Sequence, residues 1–90
     1  MPIVGVPRIL RYHLDEQATA EVEGGTLGEV LGNLFSAYPL LARHVTDEQG
    51  DLRAHVVLAL NGTVIGARPD PGRSVGPDDE IQILQAVSGG

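Results

Sequence analysis

The chain has no cysteine. Without thiols there is no disulfide, no thiolate nucleophile, no iron–sulfur ligation and no cysteine-type zinc site. If this protein handles sulfur, the sulfur does not sit on a side-chain thiol. Lysine is missing too: all six basic residues are arginines. The chain therefore offers no lysine amine to an isopeptide bond and cannot build lysine-linked chains of itself. Aromatics are reduced to Tyr12, Phe35 and Tyr38, so the core is expected to be aliphatic. No apolar run approaches the ~20 residues of a membrane span. Met1-Pro2-Ile3-Val4 lacks the charged region and cleavage site of a signal peptide. A cytoplasmic protein without membrane contact is expected.

What remains is ninety residues, 42% hydrophobic, with twelve acidic side chains and a net charge of −6. That length suits one small domain. The negative charge repels phosphate backbones, which argues against nucleic acid, and favours encounter with a basic protein partner. His13, His44 and His55 have no ligand-like spacing, so no metal site is expected. The glycines match no phosphate-binding pattern. Ser88 has no accompanying histidine and carboxylate pattern, so it is not read as a nucleophile.

Residues Ile3 to Tyr12 are rich in β-formers and read as a first strand, with Pro7 demanding an edge position or a bulge. Residues 13–17 form a polar turn. Ala18 to Glu23 alternates as a half-buried strand does, and the two segments read as a hairpin. Thr26 with Glu29 three residues on is a capping box. Leu27, Val30, Leu31, Leu34, Phe35 and Tyr38 then give one apolar helical stripe. Gly28 and Gly32 share a side of that helix, where they would allow close backbone approach. Pro39 ends the helix or opens a short second one. Ala54 to Leu60 is an apolar strand, Asn61-Gly62 is the favoured pair for a type I′ turn, and Thr63-Val64-Ile65 is the returning strand. Glu80 to Val87 is the last strand.

This order predicts an α+β chain of β-grasp (ubiquitin-like) type. It has a mixed sheet of about five strands, one main crossover helix and a flexible C-terminal tail. Residues 1–86 form the domain and residues 87–90 the tail. The first strand then lies inside the sheet, so Pro7 requires a local bulge. The chain ends on Ala86-Val87-Ser88-Gly89-Gly90. Two glycines at a free end add nothing to packing and maximise backbone entropy. They do supply a thin strip of backbone ending in a carboxylate, able to enter a channel where any Cβ would clash. The expectation is that the Gly90 carboxylate reacts, that Gly89 gives it access, and that Val87 and Ser88 line a partner's channel.

The segment from Gly76-Pro77-Asp78-Asp79-Glu80 through Ile81 to Gly89-Gly90 resembles the ubiquitin-like sulfur-carrier family, the ThiS/MoaD group. The Leu60-Asn61-Gly62 turn and Tyr38-Pro39 are similar to it more weakly. Length and detail are closer to MoaD-like and CysO-like carriers. Gln85 departs from the pattern, standing where many relatives carry proline. The resemblance implies a protein that is not itself an enzyme and binds no cofactor. An adenylating enzyme of the ubiquitin-activating type would consume ATP and Mg to activate Gly90. Sulfur would then be installed as a thiocarboxylate and used by a downstream sulfur-accepting enzyme, for cysteine, molybdopterin or another metabolite. Two rivals use the same features: a protein modifier conjugated through Gly90, and a β-grasp regulatory subunit whose tail is incidental. Asp78 and Asp79, with Glu80, are candidates for docking on basic partner side chains. Leu58, Leu60 and Leu84 are candidates for an exposed apolar patch that would mark an interface, with burial in the core an equal reading for each.

Overall fold

The computed structural model describes residues 1–85. Five strands form one sheet in the order β2-β1-β5-β3-β4. They are β1 (Ile3–Gly5), β2 (Thr19–Glu21), β3 (Val56–Leu60), β4 (Thr63–Gly66) and β5 (Glu80–Gln85). Two helices, α1 (Leu27–Ala37) and α2 (Pro39–Val45), come between β2 and β3. The last strand lies at the centre, parallel to β1 and antiparallel to β3. This is the β-grasp arrangement.

The first strand is much shorter than its β-former content suggests. It stops at Gly5, and residues Arg8–Leu14 wind into a 3₁₀ helix. Pro7 explains the change. It has no N–H to give a ladder, but its carbonyl accepts from the Leu10 amide at 2.9 Å and starts the helical turn. The bulge expected at Pro7 is therefore not needed, because the strand ends before it. Leu10 and Leu14, four residues apart, are buried by this helix. The chain leaves it through Asp15 and Glu16, both with positive φ, and β2 then pairs antiparallel with β1. The two strands neighbour one another, but a 3₁₀ helix joins them in place of a turn.

The capping box forms as the sequence predicts. The Thr26 hydroxyl accepts from the Glu29 amide at 3.2 Å, and the Glu29 carboxylate accepts from the Gly25 amide at 2.9 Å. Leu27, Val30 and Leu34 face inward and are fully buried, with Leu31, Phe35 and Tyr38 packed at the margin. Pro39 sits in the first turn of α2, a position that needs no backbone donor. Leu41 and Val45 carry α2 onto the same core. Across from the helices, Val4, Val56, Leu58, Ile81 and Ile83 close it from the sheet. The interior is aliphatic, and among the described residues no polar or charged side chain is buried.

Only one of the two helix glycines serves a close approach. A Cβ on Gly28 would lie 3.1 Å from both Cβ and O of Pro71, whereas one on Gly32 would meet nothing within 4 Å. The segment 70–75 crosses over the start of α1 at that point. The Leu27 amide donates to Arg73 O and the Gly28 amide to Pro71 O, each at 2.9 Å.

Candidate functional site

Strand register sorts the sheet residues between its two faces. Side chains directly opposite one another in neighbouring strands share a face. Val57 pairs with Leu84, Ala59 with Gln82 and Val64, and Gly5 with Gln82. Their neighbours in sequence, Val56, Leu58, Ile81 and Ile83, belong to the core beneath the helices. Val57, Leu84, Ala59 and Val64 therefore form an outward face, joined by Ile3 opposite Glu80. Val57 and Leu84 are half-buried, Ile3 is 37% exposed and Val64 61% exposed. Val57, Leu84 and Val64 thus put apolar surface on the face away from the helices, with Ala59 only 2% exposed among them and Ile3 set apart beside Glu80.

This sorting divides the three leucine candidates. Leu84 points outward. Leu58 has no exposed surface and cannot be part of a docking patch in the folded protein. Leu60 is half-buried and packs against the core cluster on the helix side. Sequence left both readings open because the period of two places alternate residues on opposite faces but does not say which face meets the helices. The residues that the sequence reading missed are Val57, Val64 and Ile3. Once Leu84 is placed outward, the pairing register identifies them.

The acidic turn also divides. Asp78 is exposed, but the Asp79 carboxylate is engaged on both oxygens. One accepts from the Asn61 side-chain amide at 3.0 Å and the other from the Gly76 backbone amide at 2.7 Å. These donors, Asn61 foremost and Gly76 next, hold the Asp79 pKa below its ordinary 3.8. Asn61 in turn accepts from the Glu80 amide at 2.8 Å through its side-chain oxygen. Asp79 is thus a fastening at the start of β5 and not a free docking carboxylate. Asn61 and Gly62, with φ of 50° and 86°, make the β3–β4 turn in the left-handed conformation that the sequence pair predicts.

The two ends of β5 differ in character. The acidic turn precedes its first residue. Five steps of about 3.3 Å carry the strand roughly 17 Å to Gln85, which pairs with Val56. The chain then continues into Ala86, Val87, Ser88, Gly89 and Gly90, which lie outside the described residues, as does the expected boundary between domain and tail. Of the histidines, His13 and His44 stack with ring centroids 4.1 Å apart. Among the described residues no three histidine or acidic side chains gather as metal ligands would. No helix among them is long and apolar enough to cross a membrane.

A β-grasp sheet with a central last strand and an aliphatic core under one main helix defines the class of small ubiquitin-like proteins. The chain belongs to the ThiS family, whose model matches residues 4–90, a family of small ubiquitin-like sulfur carriers. By sequence alone no curated protein matches it significantly. Solved structures do. A chain of the Amycolatopsis orientalis BexX/CysO complex superposes with a TM-score of 0.83 at 24% identity, covering 100% of both chains. Mycobacterium tuberculosis CysO, described as an antigen, gives 0.79 at 27% identity, with 97% of this chain and 100% of that one covered. Small archaeal modifier protein 1 from Methanosarcina acetivorans gives 0.77 at 26% identity, with 99% and 95% covered.

Proposed function

We propose that this protein carries sulfur on the Gly90 carboxyl group and is the substrate, not the catalyst, of the enzymes that load and unload it. A free α-carboxyl group has an ordinary pKa of about 3.3–3.7, so at neutral pH it is an anion and a poor electrophile. An adenylating enzyme of the ubiquitin-activating type, using ATP and Mg, joins it to AMP and releases pyrophosphate. Hydrosulfide then attacks the acyl carbon, the bond to AMP breaks, and a thiocarboxylate remains. A downstream enzyme uses that sulfur as a nucleophile, in making cysteine, molybdopterin or another sulfur-containing metabolite. The carrier needs no side-chain thiol for this, in keeping with a chain that has no cysteine.

The observation that carries the reading is the placement of β5. The strand that leads to Gly89-Gly90 is the central one, paired with β1 and β3, so the body is a firm handle for whatever grips the terminus. The outward strip of Val57, Leu84, Ala59 and Val64 adjoins that strand and is the proposed docking face. The ThiS-family match and the CysO likeness support the same assignment.

Intact mass spectrometry tests it. Incubation with an activating enzyme, ATP and sulfide is expected to add the mass difference of one oxygen replaced by sulfur. Deletion of Gly90 abolishes the gain while leaving the thermal midpoint unchanged, because a terminal glycine contributes little packing. Absence of the gain, with an enzyme proven on another carrier, refutes the proposal. The likeness to small archaeal modifier protein 1 favours one second reading, conjugation of Gly90 to lysines of other proteins. A Gly90-dependent ladder of higher-mass conjugates in cells would establish it.

A further inference from the structure

The chain has two tyrosines, one phenylalanine and no tryptophan. Both tyrosines come to the same place. Tyr12, in the 3₁₀ helix, and Tyr38, between α1 and α2, line a shallow cleft of about 190 Å³ together with His13, Asp15, Pro39 and Leu40. No strand residue takes part. The cleft lies among the helices and stands apart from the outward sheet face that holds Val57, Leu84 and Val64.

Its walls are ordered. The Tyr12 and His13 rings stand at 86° with centroids 5.4 Å apart. His44, which does not line the cleft, stacks on His13 at 4.1 Å and holds that ring from α2. The Tyr38 hydroxyl accepts from the Gln17 side-chain amide at 3.5 Å. Tyr12 itself is 73% exposed, so its ring is offered outward and not to the core. Asp15 closes the 3₁₀ helix with φ 52° and is exposed. Among the described residues the one ion pair is Arg68 with Asp51, so the Asp15 carboxylate is not neutralised. The nearby arginines Arg8, Arg11 and Arg43 do not line the cleft.

The face of a tyrosine ring is electron-rich and attracts a cation, arginine more often than lysine. A guanidinium is planar, so it can stack on a ring while its fork of N–H donors meets a carboxylate. An apolar shelf of Pro39 and Leu40, the latter 53% exposed, suits the methylene stem that carries the charge. The net charge of −6 draws basic proteins toward the chain. We infer that this cleft receives an arginine side chain of a basic protein partner, stacked on Tyr12 and paired with Asp15. The site does not depend on the carrier reading. It gives the protein a point of attachment on its helices that leaves the outward sheet face open.

The test uses the full chain at low salt and about pH 8, above the ordinary range of imidazole protonation. Nα-acetyl-arginine N-methylamide is titrated in, and backbone amide shifts are followed by heteronuclear NMR. Saturable shifts centred on Tyr12, His13, Asp15, Tyr38 and Leu40 are expected, with a millimolar dissociation constant. Tyr12→Leu and Asp15→Asn each raise that constant about two- to five-fold, the worth of one exposed cation–π or ion-pair contact. Both variants keep the wild-type thermal midpoint, because Tyr12 is largely in solvent and asparagine tolerates left-handed backbone. The lysine counterpart binds more weakly, the uncharged glycine counterpart gives no shifts, and added salt weakens arginine binding. Scattered or non-saturable shifts overturn the inference, as does a dissociation constant unchanged in either variant. Binding of the lysine or glycine counterpart as tight as that of arginine also overturns it, because the cleft would then not be reading a guanidinium.

Discussion

Replacing Asn61 tests how the central strand is fastened. Its side chain donates to Asp79 at 3.0 Å and accepts from the Glu80 amide at 2.8 Å, and its backbone sits at φ 50°. Asn61→Gly keeps the backbone conformation and removes both side-chain bonds. Net worth per hydrogen bond is about 0.5–1.5 kcal/mol, and both are exposed, so a loss of about 1–2 kcal/mol is expected. Asn61→Ala removes the same bonds and also puts an ordinary Cβ into left-handed backbone, adding a further ~1–2 kcal/mol. For a domain this small, 1 kcal/mol moves the melting temperature by about 4–8 °C, so the two variants separate clearly in a thermal scan. Urea titrations followed by far-ultraviolet circular dichroism give the same ordering in midpoint with an unchanged slope. Equal stability of the alanine and glycine variants refutes the backbone part of the reasoning. A glycine variant as stable as wild type refutes the hydrogen-bond part.

Other expectations follow from single contacts. Gly32→Ala, with open space around it, stabilises the protein by about 0.5–1 kcal/mol through helix propensity. Gly28→Ala gains the same propensity but presses on Pro71 at 3.1 Å, and a urea midpoint below that of Gly32→Ala is expected. Asp79 has its native pKa lowered by Asn61 and then Gly76. Its contribution to stability is therefore complete above the ordinary value of 3.8 and is lost as pH falls through the lower native value. Acid titration of Asp79→Asn should show less loss of stability in that interval than wild type. Leu58→Ala costs about 2–5 kcal/mol, as removal of a buried leucine side chain does. Leu84→Asp lowers the melting temperature by a few degrees, because Leu84 is half-buried opposite Val57 on the central strand, and on the carrier reading it also weakens adenylation, read as a raised KM for the carrier.

The elements that the sequence made legible are those whose signal is local and redundant. Thr26 and Glu29 cap α1, its stripe repeats over three turns, and Asn61-Gly62 admits few turn geometries. The interior position of β1 followed from element order. The 3₁₀ helix was missed because Ile3 to Tyr12 is dense in β-formers, and intrinsic preference was allowed to outweigh one proline. The spacing of Leu10 and Leu14, together with Pro7, held the correct signal. Leu58 and Leu60 stayed open between core and surface for a different reason: facing depends on which side of the sheet the helix crosses, a tertiary fact that no window of strand sequence contains. Asp79 read as a surface carboxylate because its partners Asn61 and Gly76 come together only once β5 has paired.

The strap of residues 70–75 over α1 has a bearing on where nucleotide can sit. A helix start ordinarily attracts anions, with bare amides and the positive end of its dipole facing solvent. In this protein Leu27 and Gly28 donate to Arg73 and Pro71, and Glu29 and Val30 donate to Thr26. The first four amides of the principal helix are already spoken for, so a triphosphate finds no cradle there.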